Sequence, residues 1–273
     1  MTDPATLPIL LKQLRLSTMA RVWDSMQVKA QNEGWDGATY LTALCEIELQ
    51  ERYSRRIARF TKESKLPVGK TLPRFDFTLT PGLDSEKINA LAGNSDWVNR
   101  AVNLIFFGPS GVGKTHLAVA IGHALIEKSI RVKYYPATLL VQQMQKARQE
   151  LKLEAFLTKL DKYTVLILDD LGYVKKSDLE SHVLFELIAH RYETGSLIIT
   201  SNQAFSQWDS IFTDSSMTVA AIDRVVHHSI IIEVEAESYR KRQAISQNAM
   251  EAHPVGQLET AFQGKMTTPL MTT

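Results

Sequence analysis

The stretch FFGPSGVGKTHLA runs from Phe106 to Ala118 and places Gly108, Pro109, Ser110, Gly111, Val112, Gly113, Lys114 and Thr115 in the spacing G-x-x-x-x-G-K-[ST]. Glycines at these steps let backbone N–H groups converge on phosphate oxygens. Lys114 then brings a positive charge to the β- and γ-phosphates of a nucleotide, and Thr115 offers a hydroxyl to Mg²⁺. A helix starting near Lys114 adds the positive end of its dipole, and His116 lies in its first turn, beside the phosphates. A glycine-rich strand-to-helix turn that binds nothing is the plain alternative. The apolar strand before the loop and the helical pattern after it argue for phosphate.

A phosphate loop needs a carboxylate for its metal. VLILDDLG supplies Asp169 at the end of an apolar run, placed to act on Mg²⁺ through water, and Asp170, placed to orient or activate an attacking water. Two solvated acids closing a strand are the alternative. Asp170 is one methylene shorter than the glutamate that most hydrolysing relatives carry there, so slow hydrolysis is expected. SLIITSN ends in Asn202, whose amide can hold the water or the γ-phosphate, although asparagine also closes strands as a turn residue. TVAAIDRVVHH puts Arg224 on a helix, from which it can reach a neighbouring subunit's γ-phosphate or pair with Asp223. Where such arginine fingers are known they change rates by roughly 10³–10⁵. ESYRKRQ places Arg240 beyond the last strand, as a second phosphate sensor.

These groups need elements to hold them. VNLIFF, RVKYY, TVLILD, SLIITS and SIIIEV are short, β-rich and nearly continuous in apolar residues, with helical or loop segments after the first four. That texture predicts a parallel α/β sheet buried on both faces. Residues 7–65 instead space their apolar positions three and four apart, which predicts a small all-helical domain. Pro67, Pro73 and Pro81 then favour an extended connection. The expected organisation is a helical domain over 1–72, a nucleotide-binding domain over 73–250 and a frayed tail over 251–273. The 273 residues carry a net charge of only +1, so overall charge predicts no partner. A single cysteine, Cys45, excludes a disulfide framework and a Cys-based zinc site. No apolar run approaches the roughly 18 residues of a membrane span, so a cytoplasmic protein without membrane contact is expected.

LIFFGPSGVGKTHLAVAIGHALI, VLILDDLG, RYETGSLIITSNQAF and AAIDRVVHHSIIIEV…ESYR together closely resemble the IstB-type transposition helper ATPases of insertion sequences. These are relatives of the DnaC helicase loaders and DnaA initiators within the AAA+ class. The resemblance covers nearly the whole chain to about Arg242. THLAVAIG and DDLG are far more specific than the phosphate loop alone. It implies a five-stranded parallel sheet, with ATP and Mg²⁺ held by Lys114, Thr115 and the Asp169–Asp170 pair. It further implies Asn202 as first sensor, Arg224 as arginine finger and Arg240 as second sensor. ATP-bridged homo-oligomers, double-stranded DNA and a partner transposase follow as expected partners.

Eight Lys or Arg residues and one acid lie between Arg52 and Arg74. Arg52, Arg55, Arg56 and Arg59 share one helical face, with Lys62 one turn on, while Tyr53, Ile57 and Phe60 share another. A DNA-phosphate stripe and a merely solvated face both fit this pattern. Lys146, Arg148 and Lys152 form a second basic element, diluted by Glu150 and Glu154. The expected function is an ATP-dependent DNA-binding ATPase that assists a transposase. A helicase loader is the alternative. A small-molecule kinase is disfavoured because Asp170 and Asn202 suit water rather than a second substrate.

Overall fold

The computed structural model describes residues 4–172, 178–203, 208, 215–236, 238 and 239. The five apolar runs form strands β1 (Asn103–Phe107), β2 (Val132–Pro136), β3 (Val165–Asp169), β4 (Ser196–Ser201) and β5 (Ser229–Glu233). They lie in the order β2-β3-β4-β1-β5, and every neighbouring pair is parallel. The three inner strands are buried almost throughout, whereas the edge strands β2 and β5 are partly exposed. Phe106 pairs with Thr200, and Leu168 with Ile199. The carboxyl ends of β1, β3 and β4 therefore finish side by side, the position where open parallel sheets hold ligands.

Alternate residues of the strands point to opposite cores. Leu104, Phe106, Val165, Ile167 and Ile198 enter one core, packed by α6 (Lys114–Glu127), α4 (Ser85–Gly93) and α5 (Asp96–Asn99). Ile105, Leu166, Leu168, Leu197 and Ile199 enter the other, covered by α7 (Ala137–Gln149), α8 (Leu153–Leu160), α9 (Asp178–Arg191) and α10 (Ser215–His227). The buried Arg191 guanidinium donates to the carbonyls of Tyr163 and Thr164, tying the end of α9 to the entrance of β3. No described helix is long and apolar enough to cross a membrane.

The helical N-terminal region comprises α1 (Leu7–Gln13), α2 (Met19–Glu33) and α3 (Gly37–Ser64). Gly34, with φ 67°, ends α2, and the Asp36 carboxylate caps α3 by accepting the Thr39 N–H at 2.7 Å. Phe60, near the end of α3, and Leu66, just past it, are buried in the α6 core, so the helical region is continuous with the sheet. Within the proline-rich connection, expected to be extended, two short 3-10 turns form, Leu72–Arg74 and Phe77–Leu79. Pro73 sits in the first turn, where its missing N–H leaves no bond unmade. The 251–273 tail lies outside the described residues.

Glu48 of α3 is 2% exposed. Its carboxylate accepts the N–H groups of Thr18 and Met19 at 2.8 and 3.0 Å and the Arg52 Nε–H at 2.8 Å. Burial alone would raise this carboxyl. The Met19 N–H, the Arg52 side chain and the Thr18 N–H outweigh burial and hold it below its ordinary 4.5. The stabilisation is therefore present above that pH and is lost as the pH falls below it. Glu48→Ala leaves two buried donors unpaired, so we expect a loss of about 1–3 kcal/mol. Urea unfolding followed by tryptophan fluorescence at neutral pH checks the loss, and the difference from the unaltered protein should shrink in acid.

Candidate nucleotide-binding site

A cavity of about 390 Å³ opens at the carboxyl end of the sheet. That volume lies in the range of small-molecule sites. Loop residues from Ser110 to His116 form one wall and Asp170 another. Arg74, Phe75, Leu79 and Thr80 of the linker form a third, and Ala236 and Tyr239 close the side beyond β5. The phosphate loop reaches its shape through glycines at positive φ. Gly108, at φ 139°, lies where a Cβ would strike the Val234 carbonyl. Gly113, at φ 103°, precedes α6, and a Cβ there would stand 2.6 Å from the Phe75 ring. Lys114 is 6% exposed, and its Nζ donates to the carbonyls of Gly108 and Pro109 at 2.8 and 2.7 Å. The ammonium thus spans the loop from within, beside the place where phosphate oxygens would lie. The His116 ring bonds the Thr71 carbonyl at 2.9 Å and packs edge-on against Phe75, so it fastens the linker wall to α6.

Asp169 is the hub of a polar network that reaches the cavity through Thr115. Its Oδ1 accepts the hydroxyls of Thr115 and Thr200, each at 2.7 Å, and its Oδ2 accepts the Tyr134 hydroxyl at 2.7 Å. Burial, with the adjoining Asp169 and Asp170 charges, pushes the Tyr134 phenol far above its usual range, so it stays a proton donor. Thr115 and Asp169 form a pair of hard oxygen donors. That pair suits Mg²⁺, which takes one or two protein oxygens beside substrate phosphates. Asp170 is exposed and turns into the cavity from a left-handed backbone position, φ 65°.

The structure brings the loop and Asp170 to one cavity, with Asp169 bonded to the lining residue Thr115 from outside that lining, and leaves the remaining groups apart. Asn202 is exposed just past β4, beside the cavity rather than in its lining. Arg224 is half-buried on α10, with its guanidinium 5.2 Å from the Phe185 ring centroid and bonded to the Ala220 carbonyl. It lines no part of the cavity of its own chain. Arg240 lies outside the described residues, but the N–H of its neighbour Tyr239 donates to the Gly111 carbonyl at 3.1 Å. Tyr134, Thr200 and the linker wall were missed by motif reading. The available signals were polar side chains within β-rich runs and an aromatic linker, neither of which names a partner.

The basic residues divide likewise. Arg52 donates to Glu48 and the Arg15 carbonyl, and Arg55 to the hydroxyls of Ser17 and Thr18, so both brace the α1–α2 corner. Arg56, Arg59 and Lys62, exposed like Arg52 and Arg55, lie farther along α3. Arg148 pairs with Glu186 at 3.3 Å. Lys146 and Lys152 line a groove of about 290 Å³ between α7 and α8, together with Lys159 and Phe156.

Lys114→Ala removes the buried charge and should abolish binding of a fluorescent ATP analogue. Gly113→Ala places a methyl against Phe75 in a backbone region that alanine disfavours, so we expect binding weakened by at least about tenfold, one factor of ten being about 1.4 kcal/mol. Unaltered affinity in either variant would remove the loop from the site.

The family profile of the IstB-like ATP binding proteins matches residues 9–247. An insertion-sequence ATP-binding protein of Sinorhizobium fredii is 47% identical over 252 residues, covering 92% of this chain and 85% of its own. One of Geobacillus stearothermophilus is 41% identical over 231 residues, covering 85% and 92%. Among solved structures, AMPPCP-bound DnaA from Aquifex aeolicus superposes with a TM-score of 0.51 over 71% of this chain and 59% of that one, at 20% identity. The likeness to DnaA is one of fold, the AAA+ arrangement of a five-stranded parallel sheet with helices on both faces. A family match spanning most of the residues, joined to a phosphate loop with Asp170 at one cavity and Asp169 bonded to Thr115 beside it, places the chain in the IstB-like ATP binding protein family.

Proposed function

We propose that the protein is an ATP-hydrolysing, DNA-binding transposition helper that assembles on double-stranded DNA and recruits or stimulates a partner transposase. The observation that carries the reading is the acid pair. Asp169 is buried and shares its carboxylate with Thr115, while Asp170, one residue on, reaches the cavity. Two adjacent acids are thereby split between a metal side and a water side. The relatives' association with insertion sequences supports the transposition context.

In this reading Lys114 and the loop N–H groups hold the β- and γ-phosphates, and Phe75 with the linker encloses the base. Thr115 and Asp169 hold Mg²⁺, which when bound neutralises phosphate charge. Asp170 takes the proton of the attacking water, and Asn202 orients that water from just past β4. Arg224 serves the γ-phosphate of the next subunit, consistent with its distance from its own cavity, so ATP joins subunits. Arg240 remains a proposed second sensor. Joining subunits aligns basic elements along one duplex, and avidity from such alignment can exceed single-site affinity by about 10²–10⁴. Hydrolysis then dissolves the assembly.

DNA-binding isotherms in each nucleotide state test the proposal. Binding should be weak with ADP, tight and steep with ATP, and persistent in Asp170→Asn; equal affinity and steepness with ADP and ATP would falsify the switch. The structure also divides the stripe on α3. Arg56→Ala, Arg59→Ala and Lys62→Ala should each flatten the dependence of log affinity on log salt by roughly 0.9. Arg52→Ala and Arg55→Ala should act chiefly on thermal stability. Salt titrations and melting curves of the five variants separate the groups, and equal salt slopes across all five would remove this division.

A further inference from the structure

We infer that Thr200 is the positioning residue that couples the two acids, orienting the buried Asp169 carboxylate and turning Asp170 into the cavity. The inference rests on reading the cavity as a site of ATP hydrolysis.

Thr200 stands in the middle of the sheet, level with Phe106 of β1 and next to the end of β3. It is 1% exposed. A hydroxyl so placed needs partners, and this one has both kinds. It donates to Asp169 Oδ1 at 2.7 Å and accepts the Asp170 N–H at 2.9 Å. The Thr200 carbonyl accepts the next amide, Leu171 N–H, at 2.9 Å. Two successive amides of the chain leaving β3 are thus pinned to one residue of β4.

That pinning matters because of the backbone at Asp170. Its φ of 65° lies in the left-handed region, which non-glycine residues seldom occupy and aspartate tolerates better than most. A strand continuing straight on would point residue 170 away from residue 169, in the usual alternation. The left-handed step breaks the alternation and leaves the Asp170 carboxylate exposed at the cavity while Asp169 stays buried. One hydroxyl therefore serves both acids. Its proton orients the carboxylate on the metal side, and its lone pair holds the turn that aims the carboxylate on the water side. Thr115, which bonds the same Asp169 oxygen, touches only the first of these. Because Thr200 stands in β4 two residues before Asn202, which lies just past that strand, a shift of β4 moves the aim of Asp170 together with Asn202.

The test compares Thr200→Val, which keeps the shape and removes the hydroxyl, with Thr200→Ser, which keeps the hydroxyl. The first readout is residue-resolved amide hydrogen exchange without nucleotide. In Thr200→Val the Asp170 amide should exchange at least about tenfold faster, the effect of losing one hydrogen bond, while the Leu171 amide, bonded to the backbone carbonyl, keeps its protection. Thr200→Ser should restore the Asp170 amide. The second readout is steady-state ATP hydrolysis. Thr200→Val should lower kcat by about 10–100-fold, the usual scale for supporting-shell losses, with KM little changed and Thr200→Ser near the unaltered protein. Unchanged exchange at Asp170, or unchanged kcat in Thr200→Val, would overturn the inference. Should valine prevent folding, Thr200→Ala is measured in its place against the same outcomes. If the unaltered protein hydrolyses no ATP, the functional reading fails instead, and the exchange measurement alone decides whether Thr200 holds Asp170.

Discussion

The carboxylate of Asp169 ends a fully buried strand and cannot rely on water for its lone pairs. A buried carboxylate without donors is strongly unfavourable, so the fold must bring hydroxyls to it. It does so from three separate segments: Tyr134 on β2, Thr115 on α6 and Thr200 on β4. Each bond fixes the position of one element against β3. The phosphate loop is consequently anchored to the acid strand before any nucleotide arrives, and the cavity is shaped by an electrostatic need as much as by apolar packing.

A second buried carboxylate organises the other end of the chain. Glu48 gathers the amides at the start of α2 and the Arg52 guanidinium, and Arg55 reaches past it to Ser17 and Thr18. On a helical projection these two arginines belong to the same basic stripe as Arg56 and Arg59. In the folded chain they serve the helix corner, because a carboxylate removed from water draws the nearest guanidinium. The proposed DNA-facing part of α3 is therefore its second half, nearer the sheet.

The two ends are joined by the linker. His123 and His116 of α6 bond the carbonyls of Pro67 and Thr71, and Phe75 lies against Gly113. The segment leaving the helical region is thus laid along α6 and becomes a wall of the nucleotide cavity. This gives a physical route by which an occupant of the cavity bears on α3. Arg224 is half-buried on α10, held over Phe185.

Much of this was legible from residue order, for local reasons. The loop spacing, the strand runs and the helical periodicity of residues 7–64 are properties of neighbouring residues. A glycine's positive φ or an apolar repeat needs no distant partner to be recognised. Asp169 and Asp170 were readable because they end an apolar run downstream of a phosphate loop. The short helices over 85–99 leave no local signal, since each is too brief to build a period, and Pro73 favours an extended connection yet fits a 3-10 turn equally well. What only the tertiary structure decided is which side chains meet. Tyr134 and Thr200 lie 35 and 31 residues from Asp169, and their bonds to it exist because β2, β3 and β4 align in one register. The bond of the still-exposed Arg52 to Glu48 was settled in the same way, by burial of a partner whose depth no local pattern of residues records.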